Sequence, residues 1–328
     1  MPKLTYFTLF GTLLFGVFAV IGQPAWQQLL SEGDSQAAIE WRDLRWGDWS
    51  IADGDLSVSA TWQSVEGGPV VSINVPVKSL VIANETAEAR VGPIDGHLRF
   101  HLGFKREIKT DGVQLLELKQ IDWGGFVATD IRLQFDLLAD RTVRVEALEM
   151  NYAGGRVAFE PFVWDPEAQW LDLSMRLEGI DMAVLTQLLP DWGFTAEGQM
   201  DGGLVMRISP GQLDLQPSLL RYRTGTDGRI RYDRVGWLTQ GRGADAQSRA
   251  LRAAEEAFGN LAIEDMELQI RGFDVEGPQA VLKVAGEGKS QELNTQVPVR
   301  LQINLAFSRA DIESLPLFQF LREGLFFE

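Results

Sequence analysis

The chain has 328 residues, 45% of them hydrophobic, which is enough apolar material for one large folded unit or two ordinary ones and too much for a disordered chain. With 30 Lys and Arg against 46 Asp and Glu its formal charge is −16, which repels a nucleic-acid backbone and sets nucleic acid aside as a partner. It holds no cysteine, so disulfides, zinc thiolates and thiol nucleophiles are excluded together.

Residues 4–22, LTYFTLFGTLLFGVFAVIG, carry no charge, and Lys3 stands in front of them. Such a stretch is long enough to span a bilayer. Two readings stay open: an uncleaved anchor, or a signal peptide cut after small residues near Val20 and Gly22, ahead of Gln23-Pro24. In both, the positive end stays inside and the body is exported, in a Gram-negative cell to the periplasm. The expectation is a single-pass inner-membrane segment over residues 1–24 with the body on the outer side.

The next residues, QPAWQQLLSEGDSQAAIEW, read as a short helix and turn, and beyond them period-two alternation dominates. In VSINVPVKSLVI, Val71, Ile73, Val75 and Val77 oppose Ser72, Asn74, Pro76 and Lys78, then the phase slips near Lys78-Ser79, as a bulge or turn allows. IRLQFDL repeats the pattern with Ile131, Leu133, Phe135 and Leu137. LDLSMRL does so with Leu171, Leu173, Met175 and Leu177, and GQMDGGLVMRIS with Leu204, Met206 and Ile208. Late in the chain MELQIR carries Met266, Leu268 and Ile270 on one side. VPVRLQINLAFS carries Val297, Val299, Leu301, Ile303, Leu305 and Phe307 on one side.

Glycine-rich segments, VEGGP, IDGH, DWGG, YAGGR, GQMDGG, TGTDGR and GEG, read as the turns between these runs. Three stretches look helical: GIDMAVLTQLLPDW, DAQSRALRAAEEAFGN and DIESLPLFQFLREGLFFE. The body is therefore expected to be one mostly β unit of about fifteen strands, subdivided loosely into residues 25–178 and 179–328. Alternation alone fits two architectures equally, a long one-sided sheet and a sandwich whose two apolar faces bury each other.

Chemistry-bearing motifs are scarce. His97 and His101 stand four apart in GHLRFHLGF, which suits a metal pair on a helix, but the segment alternates as a strand and places both on a solvated face. Asp181, Asp191, Glu197 and Asp201 lack the spacing of a calcium loop, and Asp-Gly turns explain VGPIDGH and QMDGGL. There is no GxSxG, P-loop or dinucleotide fingerprint. No catalytic residue, metal or cofactor is expected, and an enzyme is not.

Trp41, Trp46 and Trp49 crowd WRDLRWGDWSI, where they suit a headgroup zone or pack onto the first strands. In the final FQFLREGLFFE, Phe318, Leu321, Phe326 and Phe327 leave apolar area with little sequence left to cover it. Two outcomes follow from that: a docking surface for a partner, or a helix folded back onto the sheet.

The C-terminal half carries a specific order of segments: LTQLLPDWGF, the glycine-bounded strand GQMDGGLVMRIS, GRIRYD at 228–233, the helix beginning SRALRAAEEAFGN, a strand pair, and PVRLQINL at 298–305. From Gly179 to Leu321 this order resembles the C-terminal module of the YdbH family, in the AsmA-like group of intermembrane phospholipid transport proteins; the module is also labelled dicarboxylate transport. The chain is far shorter than the long members of that group. The resemblance implies a long, strongly curved antiparallel sheet forming a groove or half-barrel, with few short helices and an inner-membrane anchor. It further implies a phospholipid as cargo and extension by strand addition from an outer-membrane lipoprotein. On that reading the groove is lined by Leu171, Leu173, Met175, Leu204, Met206, Ile208, Met266, Leu268, Ile270, Val299, Leu301, Ile303 and Leu305.

Overall fold

The computed structural model describes residues 36–321 except for short internal stretches, the longest being 185–192, 233–245, 273–278 and 306–312. The expected membrane segment and Phe326 and Phe327 lie outside the described residues, as do most of the first and third predicted helices. No helix among the described residues is long and apolar enough to cross a membrane.

In chain order the strands are β1 (Gln36–Trp41), β2 (Arg45–Trp46), β3 (Trp49–Val65), β4 (Gly68–Asn84), β5 (Ala89–Leu102), β6 (Ile108–Thr110) and β7 (Gln114–Trp123). Then come β8 (Phe126–Leu137), β9 (Val143–Tyr152), β10 (Gly155–Phe159), β11 (Phe162–Trp164), β12 (Leu171–Asp181), β13 (Phe194–Glu197) and β14 (Gln199–Ser209). The last are β15 (Gln212–Leu215), β16 (Ser218–Tyr222), β17 (Arg229–Tyr232), helix α1 (Ala246–Phe258), β18 (Asn260–Ile270), β19 (Ala280–Ser290) and β20 (Thr295–Leu305).

All twenty strands form one antiparallel sheet, more than the fifteen expected because kinks split several long strands in two. Pairing runs from β3 through β4, β5, β7, β8, β9, β10, β12, β14, β16, β18 and β19 to β20, with β1 and β2 both on β3. No pairing joins β1 to β20 among the described residues, so the sheet is open, with β20 an edge strand. The sheet passes unbroken across residue 179, since β12 pairs on both sides, with β10 and β14. The architecture is thus a single long sheet in place of the two separately paired layers of a sandwich.

The inward face is continuous although the alternation is not. In β4 the buried series Val71, Ile73, Val75, Val77 gives way to Leu80 and Ile82, an odd-to-even switch at Lys78-Ser79. One extra residue in a strand turns every later side chain over, and here it returns them to the inside after a bend. The same switch recurs beside it: Leu56 follows Trp49 in β3, Ile94 follows Val91 in β5, Ile121 follows Leu118 in β7, Ile131 follows Ala128 in β8. It recurs in β12 at Leu177/Ile180 and in β18 at Ile263/Asp265, where the registers shift. The slips fall side by side, so a crease crosses the sheet. Gly54 lies on it at φ 91°, and a Cβ there would overlap the Ser79 carbonyl oxygen.

Beyond the crease several aromatic pairs pack together. Trp49 packs on Trp123 at 5.6 Å between ring centroids, Phe126 on Tyr152 at 5.0 Å, and Tyr232 on Phe258 at 5.5 Å. Trp49 is therefore part of the core, the second of the two roles its sequence position allowed.

Three of the expected turns are strand interior. IDGH lies within β5, all of GQMDGG but Gly198 within β14, and GEG within β19. Their glycines mark close approach of a neighbour: a Cβ at Gly96 would stand 2.6 Å from Leu116 Cδ2, and one at Gly202 would overlap the Leu219 carbonyl oxygen. The first predicted helix also begins late, because Gly179 to Asp181 complete β12. The second helix is α1.

Candidate functional site: a one-sided apolar face

The residues singled out from alternation meet in two cross-strand blocks. In the first, Leu171 pairs in register with Ile208, Leu173 with Met206 and Met175 with Leu204, all six buried. In the second, β19 stands between β18 and β20: Met266 and Leu301 flank Val284, Leu268 and Ile303 flank Leu282, and Ile270 and Leu305 flank Ala280. Val299 faces Gly286. Directly opposed side chains on one face of an antiparallel pair stand about 5 Å apart, so these rows touch. Leu220 on β16 bridges the blocks, opposite Gly202 on one side and Leu268 on the other.

The same surface extends far upstream. Ile73, Ile94, Phe100, Phe135 and Val157 belong to one apolar cluster with Met206 and Leu305. Ile73 and Phe135 follow the period-two alternation already visible in the sequence.

Burial is uneven along β20: Val299 and Leu305 are fully buried, whereas Val297, Leu301 and Ile303 on the same face are half-buried.

The outward face is ionic. Arg207 grips Asp172 at 2.7 Å with its guanidinium 5.8 Å above the Trp170 ring, Arg223 meets Asp201 at 2.6 Å, and Arg231 meets Glu197 at 3.0 Å. Glu267 takes Lys283 at 3.1 Å and Arg221 at 3.2 Å. The Arg223 hydrogen bond holds the Asp201 carboxyl below the usual carboxylate range, and Lys283 does the same for Glu267. Burial pushes the Tyr152 phenol up. These acids pair across strands, with Asp201 also accepting the Gly179 N–H at 2.7 Å and Asp181 the Ala183 N–H at 2.8 Å. Asp191 lies outside the described residues.

His97 bonds to Asn74, and His101 lies between Ser72 Oγ at 3.2 Å and Asp111 at 3.4 Å, both histidines on the outward face. The described residues contain no cluster of three or more metal-binding side chains.

Of the aromatic tail, Leu317, Phe318 and Leu321 are buried in the apolar cluster, as a segment folded back onto the sheet requires. Leu213 N–H donates to Glu313 at 3.0 Å, which ties this segment to β15. Burial of these three side chains follows from the cost of leaving large apolar groups in water.

The chain matches the family model described as YdbH-like, intermembrane phospholipid transport protein YdbH, over residues 23–306. No curated protein and no solved structure matches it. The match takes in the upstream strands as well as the C-terminal module, and it covers nearly all of the sheet described above: the chain belongs to the YdbH-like family of intermembrane phospholipid transport proteins.

Proposed function

We propose that the chain carries phospholipid with its acyl chains against the inward face of the sheet and its headgroup in water, as the periplasmic body of an inner-membrane-anchored protein. One observation carries this reading: a single open sheet keeps one unbroken apolar face from β3 to β20 despite a bulge in strand after strand. Each methylene kept from water is worth about 0.8 kcal/mol, so a two-chain lipid does not cross water bare but can slide along a dry surface. No reaction and no cofactor are required.

Counting the twelve spacings from β3 to β20 along the pairing path at about 4.8 Å each gives a lane of about 58 Å. A partner strand would lengthen it. Pro298 in β20 has no N–H, so it fits only the phase whose main-chain groups point away from β19. By alternation Gln296, Arg300, Gln302 and Asn304 then turn their N–H and C=O groups outward. That edge, which no strand joins among the described residues, is where an outer-membrane lipoprotein would add a strand.

Lipid mass spectrometry of the full chain, purified from its membrane fraction and washed free of bulk lipid, tests the reading. Stoichiometric phospholipid is expected. A lipid-free, fully folded protein that also fails to move phospholipid between vesicles would overturn it.

A further inference from the structure

The chain has seven methionines, and their placement is uneven. None stands between Met1 and Met150, whereas the other six fall from β9 to β18: Met150, Met175, Met182, Met200, Met206 and Met266. All six belong to the apolar cluster of the inward face, and none is more than 3% exposed. In register, Met150 stands opposite Val157, Met175 between Phe159 and Leu204, and Met206 between Leu173 and Leu215. Met200 stands between Ile180 and Tyr222, and Met266 opposite Val284. Met175 and Met206 are diagonal neighbours across β12 and β14, within reach of each other. The same face from β3 to β8 carries no methionine and presents stiff side chains such as Val58, Ile73, Val75, Ile94 and Ile131.

The two kinds of wall yield differently. Side chains packed this closely admit an acyl chain only as some of them turn aside. Valine and isoleucine are branched at Cβ and restricted at χ1, so for them turning aside is costly. Methionine is unbranched, with three rotatable bonds and a polarizable sulfur, and it refills irregular space with little penalty. Acyl chains make this demand unequally. A saturated chain lies nearly straight along a wall, whereas a cis double bond bends it and presses its two halves against different rows of side chains.

We propose that the methionine-lined stretch from β9 to β18 is the part of the lane that conforms to bent acyl chains, and that it sets the protein's capacity for cis-unsaturated phospholipid. Met175 and Met206, side by side at its centre, are the residues that decide it. This rests on the acyl-chain reading above and names the class of acyl chain the lane takes.

Met175→Ile with Met206→Ile stiffens this stretch at nearly constant volume. Leu116→Ile with Leu133→Ile, a buried pair in register on β7 and β8, stiffens the upstream wall by the same means. Deuterated dioleoyl- and dipalmitoyl-phosphatidylethanolamine are mixed equally in donor vesicles of phosphatidylethanolamine and phosphatidylglycerol. Transfer of each to acceptor vesicles by the full chain is read by mass spectrometry, beside the denaturation midpoints. The dioleoyl-to-dipalmitoyl ratio is expected to fall about tenfold in the methionine variant, the order reached when two side chains are forced off their staggered wells. In the leucine variant the ratio is expected to hold. An unchanged ratio in the methionine variant, or an equal fall in both variants, would overturn the proposal and leave the lane standing. No transfer of either lipid by the parent chain would remove the lane reading, and this proposal with it. A measurement on the unmodified chain covers a variant that fails to fold: phosphatidylethanolamines with a photoreactive group on a cis-unsaturated or a saturated chain are crosslinked, and the adducts are located by peptide. The unsaturated probe is expected to favour peptides from residues 143–270 more than the saturated one does, and identical adduct maps would refute the proposal.

Discussion

Ile303→Glu separates the lane's role in transport from its role in stability. Ile303 sits on the edge strand, opposite Leu282, and is half-buried, so a carboxylate there keeps contact with water and the sheet tolerates it. An acyl chain passing that point meets a hydrated charge. Losing dry contact for roughly three methylenes at about 0.8 kcal/mol each removes about 2.4 kcal/mol, close to a fiftyfold drop in occupancy. Gln302→Glu places the same charge one residue away on the outward face and is the matched control. Phospholipid transfer between vesicles and the denaturation midpoint are measured for both. The expected result is transfer reduced about fiftyfold in Ile303→Glu, transfer unchanged in Gln302→Glu, and similar midpoints. Equal transfer in the two variants would refute the argument that cargo touches this face.

Phe100, which is 1% exposed near the end of β5, anchors the upstream part of the same face; Phe100→Ala is expected to cost about 3–5 kcal/mol in chemical denaturation. Gly54→Ala forces a Cβ into the Ser79 carbonyl at φ 91° and should destabilise well beyond Gly112→Ala, where φ is 71° but nothing lies within 4 Å. The second variant bears only the left-handed backbone penalty of about 1–2 kcal/mol, and equal midpoint shifts would show that the crease does not depend on close approach. Asp201 is held below its ordinary range by Arg223, so the unfolded chain binds the proton more readily. Its stabilisation is therefore present above the unfolded pKa of about 3.9 and fades as pH falls through the lower folded value. The melting-temperature gap between the parent and Asp201→Asn should shrink in that acid window and hold steady near neutrality.

Much of the fold was legible because a half-buried strand writes its face into the sequence. Leu171, Leu173 and Met175 could be assigned to one side from LDLSMRL alone, and they lie buried together with Met206 and Ile208. The choice between a sandwich and a single sheet was not legible, since both bury alternate residues; pairing from β3 through to β20 decides it. Most of the crease escaped notice for a related reason. A one-residue bulge changes only the phase of the pattern, and at Val91/Ile94 or Ile263/Met266 that looks the same as a strand ending. Glycines misled most. Gly96, Gly202 and Gly288 resemble turn residues in composition, yet each is small because another part of the chain presses against it. No local pattern reports such a long-range contact. The aromatic tail was ambiguous in the same way, because exposure of Phe318 depends on the sheet it meets and not on its neighbours in sequence.

The most direct test is a photo-crosslinking scan in cells, with benzoylphenylalanine placed in turn at Leu204, Val205, Met206, Leu301, Gln302 and Ile303, and adducts identified as phospholipid by mass spectrometry. Lipid adducts at Leu204, Met206, Leu301 and Ile303 with none at Val205 and Gln302 are expected, a two-residue rhythm set by the sheet. Adducts that ignore this rhythm, or their absence from every inward position of a correctly folded chain, would contradict the account.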